Sequence, residues 1–222
     1  MKFIFEKQGV HALLLFLLLS AILPVYHNFE PLSAGKFFGW STTTWFYSAI
    51  GVAIVHHLYV WFSWRNELHN KSITNFFPNH GFKIYLIGFF LLFSLRFLLV
   101  LLAALSNMGS FSLPLVIKWV LVTILAIPVI WLFYSVKTYF GFKRAAGADH
   151  FFEEYRNLPL VQQGIFKYTK NGMYLYGFLL FWLIAILFES YAALLLAGFN
   201  HLYIWVHYYC TEKPDMEKIY EV

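Results

Sequence analysis

The sequence is poor in cysteine and in charged residues. A single cysteine, Cys210, excludes an internal disulfide and a cysteine-rich metal cluster. Charged residues make up 12% of the chain, against about 25% in ordinary soluble domains. Hydrophobic residues make up 60% of it and aromatic residues 22%. These proportions exclude a soluble globular domain and predict an integral, multi-pass membrane protein.

Six apolar stretches are long enough to be membrane-crossing helices, which need about 20 residues to cross roughly 30 Å of hydrocarbon. Only Glu189 and Ser190 separate the last two, so these two are predicted to form a tight C-terminal helical hairpin. The predicted fold class is all-α, a polytopic membrane helical bundle in a single domain, 1–222. Residues 1–139 carry four spans, and residues 140–222 carry a cytoplasmic loop, the hairpin and a tail. The predicted spans are residues 9–26, 39–64, 82–106, 113–139, 173–188 and 191–209.

The basic residues predict the orientation of the chain, because Lys and Arg concentrate in short cytoplasmic loops. With the N-terminus inside, 13 of the 16 basic residues are cytoplasmic and Lys36 alone lies in an outer loop. We therefore predict that both termini are cytoplasmic. Orientation and anionic lipid headgroups account for the net charge of +5. Neither a nucleic-acid partner nor a protein partner is indicated.

Nine histidines raise the question of a metal site. Membrane di-iron enzymes need several clustered histidine boxes with helical spacing. Here His56 and His57 are adjacent, and His201 and His207 are six residues apart, so each pair is predicted to project from different helix faces. We predict no metal.

Two basic residues lie within predicted spans. Arg96 falls near the middle of the third span, where a charge is costly and marks a candidate functional site. It could bind a partner inside the bundle, or a lipid phosphate or other anionic ligand. Lys118 lies near the end of a span and is predicted to extend towards the membrane surface.

The last predicted helix carries a polar stripe. His201, Trp205, Tyr208 and Glu212 follow one another at intervals of three or four residues, which places them on one helix face. Such a stripe is explained either by interfacial aromatic residues and helix packing or by a ligand site. Pro214 is predicted to end this helix.

Two polar segments flank the hairpin, "GIFKYTKNGMY" before it and "TEKPDMEKIY" after it. A hairpin brings its two cytoplasmic ends together, so Lys170 and Asn171 are predicted to face Glu212. A zwitterionic ligand would find basic and amide groups on one side and a carboxylate on the other.

These two segments resemble the integral membrane S-adenosylmethionine-dependent methyltransferases, which include isoprenylcysteine carboxyl methyltransferase and the phospholipid N-methyltransferases. That family shows G-x-x-[KR]-x-x-R-[HN]-P-x-Y, then a helical hairpin and an acidic terminal motif. Lys170, Gly172 and Lys213 stand where the family usually has arginine, proline and a second glutamate. The positions that match are Gly164, Lys167, Lys170, Asn171, Met173, Tyr174, Glu212, Asp215, Met216 and Tyr220.

The resemblance implies methyl transfer from S-adenosylmethionine to a lipid or other apolar small molecule at the cytoplasmic face. Glu212 and Tyr208 are the candidates for a catalytic base, with His201 and Tyr208 taken from the polar stripe rather than from the family motif. The predicted cofactor-binding residues are Gly164, Tyr168, Lys170, Asn171, Tyr174, His201 and Glu212.

Two alternatives stay open on the sequence. Membrane reductases of the sterol or steroid type use NADPH and carry a similar motif, although they usually place asparagine where this chain has Met173. A non-catalytic membrane protein that retained the fold is favoured by Gly172 and Lys213.

Overall fold

The computed structural model describes residues 3–220 and is almost entirely helical. A short 3₁₀ turn, Glu30–Leu32, and a two-stranded antiparallel ribbon connect the first two long helices. In chain order the elements of the N-terminal part are α1 Gln8–Asn28, β1 Lys36–Phe37, β2 Trp40–Ser41, α2 Thr42–Asn70, α3 Ser72–Phe76, α4 Gly81–Ser106 and α5 Leu115–Ser135.

The C-terminal part begins with a π-helical turn, Val136–Phe140, that continues α5. A 3₁₀ turn, Gly164–Lys167, precedes the apolar helices, and a second π-helical turn, Tyr208–Glu212, follows them. The α-helices here are α6 Phe142–Ala145, α7 Ala148–Phe151, α8 Glu153–Arg156, α9 Gly172–Gly177, α10 Leu179–Phe188, α11 Tyr191–His207 and α12 Lys213–Tyr220.

Four helical segments are long and apolar enough to cross a membrane: α1, α2, α4 and the continuous segment Leu115–Phe140. The sequence-based prediction of a helical membrane protein is confirmed at this level. Gly172–Phe188 and α11 contain 17 residues each, which is short for a span. The count of six spans and the cytoplasmic position of both termini stay predictions.

Small buried residues hold the bundle together. α11 packs against α1, α2, α4 and α10, and its Ala192, Ala193 and Ala197 are fully buried. Ala53 of α2 and Ala103 of α4 are fully buried in the same cluster. Small side chains let helix backbones approach closely, which is the main source of packing energy where lipid replaces water.

The two residues between α10 and α11 are fixed from both sides. Glu189 adopts a left-handed conformation, with φ of 51°, and its carboxylate accepts hydrogen bonds from Leu113 N and from Lys118 Nζ. Ser190 caps α11, its Oγ accepting from Ala193 N at 3.2 Å. Lys118, which is predicted to extend towards the membrane surface, pairs with Glu189 of this turn at 3.2 Å.

Candidate active site

A cavity of about 190 Å³ lies between α2, α4, α5, α9 and α11. Its walls are mainly aromatic and aliphatic, so the few ionisable groups on them stand out. The low polarity of the walls strengthens any electrostatic interaction inside. The ionisable lining side chains are His56, His57, Arg96, Tyr174, His207 and Glu212.

Glu212 reaches this cavity because of the π-helical turn that follows α11. Lys213 N donates to Tyr208 O, five residues back, so the turn contains one residue more than an α-helical turn. The predicted stripe of four residues on one face is wrong for this reason. Glu212 lines the cavity, whereas His201 does not, its Nδ1 instead accepting from Trp182 Nε1 at 3.1 Å.

The Glu212 carboxylate is held in an unusual electrostatic state. Its Oε2 atom is buried and has no hydrogen-bond partner among residues 3–220. Burial, and secondly the negative charge of Asp149, raise the pKa of Glu212 to about 8, while His150 opposes the shift. A buried carboxylate oxygen without a partner is the group that a cationic ligand satisfies.

An ionic network lies behind Glu212. Arg65 Nε donates to Asp215 Oδ1 at 3.0 Å, and both side chains are fully buried. His150 lies between Asp149, at 3.1 Å, and Asp215, at 3.6 Å. Burial alone would lower the pKa of His150, but the two carboxylates raise it to about 9. The tail is thus part of the protein interior.

Pro214 does not end the last helical segment as predicted. It lies in the first turn of α12, where the missing N–H is tolerated, and it is buried beside Asp215. The burial of Asp215 against Arg65 explains why the chain continues as a packed helix.

Tyr174 also lines the cavity, from α9. Its ring lies 5.5 Å from the ring of Tyr208 and 6.1 Å from that of Trp205. The structure therefore brings two of the predicted residues, Tyr174 and Glu212, into one cavity, with Tyr208 beside Tyr174 but outside the lining. Gly177, one turn further along, lines the same wall.

Two predicted cofactor-binding residues pack on α5 instead. Gly164 has a φ of +59°, and a Cβ there would lie 2.5 Å from Ser135 Oγ, so only glycine fits. Tyr168 is 69% exposed, with its ring centroid 5.5 Å from that of Trp131. Neither residue lines the cavity, and the observed contacts of Gly164 explain it as a packing residue.

Lys170 and Asn171 lie at the start of α9 but outside the lining of the cavity. Lys170 is exposed, and Asn171 begins the helix, its carbonyl oxygen accepting from Tyr174 N and Leu175 N. Gly172 is buried, and a Cβ at this position would come within 3.3 Å of Ile165. Close packing is thus one reason for glycine where the resembling family has proline.

The opposite end of the cavity holds residues that the sequence did not connect. Arg96 of α4 is buried and bonds Asn200 of α11 and both His56 and His57 of α2. Asn200 and His207 are seven residues apart, so both lie on the same face of α11. The seven-residue spacing of Asn200 and His207, one position away from the predicted stripe, is the sequence pattern that indicates this second face.

The buried histidines do not form a metal site in the part of the chain that the structure describes. No group of three or more His, Cys, Asp or Glu side chains within residues 3–220 has an arrangement that could hold a metal ion.

Comparison with known proteins places a resemblance in the C-terminal part of the chain. Residues 117–222, just under half of the chain, match the family model of phospholipid methyltransferases. A stretch of 72 residues is 31% identical to phosphatidylethanolamine N-methyltransferase of Scheffersomyces stipitis. It is 32% identical to the proteins of the same name from Clavispora lusitaniae and Debaryomyces hansenii. No solved structure matches the chain.

These matches confirm the resemblance predicted from the two segments that flank the hairpin, and the family match is confined to the C-terminal part of the chain. The family match begins before Gly164 and includes α5. The aligned stretch covers 32% of this chain but 8% of each relative, so the chain corresponds to a small part of those proteins. Glu212 and Tyr174 lie inside the matched part, whereas Arg96, His56 and His57 lie outside it.

Proposed function

We propose that this chain is an integral membrane methyltransferase that transfers the methyl group of S-adenosylmethionine to a lipid at the cytoplasmic membrane face. The observation that carries the proposal is the buried Oε2 atom of Glu212, which has no partner within residues 3–220 and lies in a cavity that Tyr174 also lines. The match of residues 117–222 to phospholipid methyltransferases supports the same chemistry.

The residues at this end of the cavity fit the cofactor. The cofactor carries an ammonium group and a sulfonium group, both cationic. Glu212 offers the carboxylate oxygen that an ammonium group needs. Tyr174, Trp205 and Tyr208 form an aromatic cluster beside it, and aromatic faces attract cations through their quadrupole. Lys170, Asn171 and Tyr168 stay proposals for the outer part of the cofactor site.

The protein has little covalent chemistry to perform. When bound, S-adenosylmethionine supplies a methyl group whose carbon–sulfur bond breaks as the bond to the acceptor forms. The aromatic walls would hold donor and acceptor next to each other and exclude water, and positioning of this kind supplies much of the rate enhancement of group transfer. Glu212 then acts mainly by binding the donor in a fixed position.

An amine acceptor must lose a proton before or during methylation. Glu212 and Tyr208 were our candidates for the base, but Glu212 is needed for the ammonium group and Tyr208 lies outside the lining. His207 lines the cavity, and its buried Nδ1 has no partner in the described chain. An imidazole nitrogen without a hydrogen-bond partner is free to accept a proton, so we propose His207 as the base.

The proposal is tested with detergent-purified protein. We expect saturable binding of S-adenosylmethionine and transfer of a radiolabelled methyl group to phosphatidylethanolamine in mixed micelles. Glu212→Gln removes a charge-assisted hydrogen bond and is expected to weaken cofactor binding about tenfold to 100-fold. Glu217→Gln is the matched control, because this carboxylate is half exposed and pairs with the exposed Lys213 at 3.9 Å.

The alternatives give different results in the same assay. Binding of NADPH in place of S-adenosylmethionine would favour a reductase. Failure of the folded wild-type protein to bind either compound would favour a non-catalytic protein and overturn the proposal.

A further inference from the structure

Arg96 is a buried cation whose partners are all neutral. It lies on α4, where its guanidinium donates to Asn200 Oδ1 through Nε at 3.2 Å and through Nη2 at 2.8 Å. Its Nη1 contacts His57 Nε2 at 3.0 Å and His56 Nδ1 at 3.4 Å. No salt bridge joins Arg96 to a carboxylate within residues 3–220. The positive charge is therefore uncompensated by the part of the protein described.

The contacts of Arg96 also fix where the two histidines carry their protons. A guanidinium only donates hydrogen bonds, so His57 Nε2 and His56 Nδ1 must accept. The hydrogen of each neutral ring is then on the other nitrogen, His57 Nδ1 and His56 Nε2. Both of these nitrogens are buried and without a hydrogen-bond partner in the described chain. The cluster thus offers a cation and two spare N–H donors, which is a set for an anion.

This cluster faces the same cavity as Glu212, since Arg96, His56 and His57 all line it. The cavity also reaches the lipid-facing surface. Phe90 of α4 and Phe133 of α5 line it and are exposed on the outside of the bundle. A lipid headgroup therefore has a lateral path between α4 and α5.

The spacing of the two charged ends suits two ligands bound in line. Asn200, which accepts from Arg96, precedes Glu212 by twelve residues, or about three helical turns. That length accommodates the amino-acid arm of the donor next to Glu212 and an acceptor headgroup next to Arg96. His207 lies between them, its ring 4.8 Å from that of His57.

We propose that Arg96, His56 and His57 form the acceptor subsite and bind the phosphate of a phospholipid whose amine points towards Glu212. This inference rests on the proposed function and adds the residues that hold the phosphate of the acceptor lipid. It also assigns a binding role to helices that lie outside the part matching known methyltransferases.

The competing explanation is that Arg96 only joins α2, α4 and α11. Asn200→Asp separates the two explanations. Aspartate has nearly the shape of asparagine and keeps the oxygen that accepts from Arg96, but it loses the hydrogen bond that Asn200 Nδ2 donates to Leu196 O at 2.8 Å. It also neutralises Arg96, so an anion is bound less well. A structural arginine would tolerate this change, whereas a phosphate-binding arginine would not.

The experiment measures how tightly phosphatidylethanolamine labelled on an acyl chain binds to the protein. Wild-type protein is compared with Asn200→Asp and Arg96→Gln. The comparison lipid is a diacylglycerol ether of ethanolamine, which has the same chains and amine but no phosphate. Wild-type protein is expected to prefer the phosphate lipid. Both variants should lose about tenfold or more of that preference, as the loss of a charge-assisted contact implies. Cofactor binding should stay within about twofold, because neither residue contacts Glu212.

A preference for the phosphate lipid that persists in Asn200→Asp overturns the subsite. Water-soluble phosphoethanolamine is included as a competitor to distinguish a lipid headgroup from a free phosphate ester. If it competes as well as the lipid on a molar basis, the lipid assignment is wrong. Because lipid binding is measured without turnover, it reports on this subsite even where methyl transfer fails. Cofactor binding reports separately on the proposed function.

Discussion

The two ends of the cavity treat their charges in opposite ways. Behind Glu212, Arg65 and His150 are paired with Asp215 and Asp149, and all four side chains are buried. At the other end Arg96 is buried with an amide and two imidazoles. Buried charges are costly unless they are paired. The paired network is therefore suited to holding the fold, and the unpaired cation to holding a ligand.

The contrast separates residues that support the site from residues that bind within it. Arg65 also donates to the carbonyl oxygens of Ile4 and Cys210, which joins the N-terminal segment to the tail. Asp215 completes this joint from α12. Glu212 and Arg96, by comparison, lie on the cavity wall and form no ion pair in the described part of the chain. Two opposite substitutions test the distinction. One removes a carboxylate at the Glu212 end, and the other adds a carboxylate at the Arg96 end.

The largest effect is expected for Asp215→Asn. The change leaves the Arg65 guanidinium buried without its counter-ion and removes one of the two carboxylates beside His150. Removing one partner of a buried ion pair costs about 3–5 kcal/mol of folding free energy. Thermal unfolding in detergent measures the loss.

Asn200→Asp is the matched variant at the opposite end. It gives Arg96 a counter-ion in exchange for the hydrogen bond from Asn200 Nδ2 to Leu196 O, so it should lower the midpoint of unfolding much less than Asp215→Asn does. Equal destabilisation by both substitutions would contradict the distinction between a supporting end and a binding end.

A smaller effect is expected from pH. The pKa of Glu212 is raised to about 8, and only its ionised form attracts an ammonium group. Below that pH the carboxylate fraction falls about tenfold per unit, so the Kd for S-adenosylmethionine should rise by about that factor from pH 7.5 to 6.5. The cofactor's own amino group loses its proton above roughly pH 8, which confines the measurement to lower values.

Glu212→Gln should remove most of this pH dependence. His150, with its pKa raised to about 9, stays protonated throughout the same range and contributes no slope. A pH profile that is unchanged in Glu212→Gln would mean that another group controls cofactor binding.

The long helices and one end of the site could be predicted from the sequence. Apolar runs define α1, α2, α4 and α5 directly, because length and hydropathy decide them. The C-terminal motifs indicated Tyr174 and Glu212, since the short chain between them brings their helices together. Local pattern and short separation were sufficient for these features.

The other end could not be predicted for a physical reason. Arg96 and Asn200 are separated by 104 positions and meet only after α4 and α11 have packed. Around Arg96, α4 is apolar on all sides, so its sequence does not define which residue of another helix the arginine meets. The π-helical turn after α11 likewise has no simple pattern, and it moves Glu212 out of register with His201. Packing decided both features.

The smallest expected effect concerns Lys170, which the family motif assigns to the cofactor. It is exposed and lies outside the cavity lining, so its contact with a ligand carboxylate would be screened by water. Exposed ion pairs contribute about 0.2–1 kcal/mol, so Lys170→Gln should raise the Kd for S-adenosylmethionine less than about fivefold. Lys167→Gln, an exposed lysine three positions earlier, is the control. A loss of cofactor affinity greater than tenfold in Lys170→Gln, but not in Lys167→Gln, would show that this loop closes over the cavity. Cofactor binding at the Glu212 end would then depend on the positive charge of Lys170 as well.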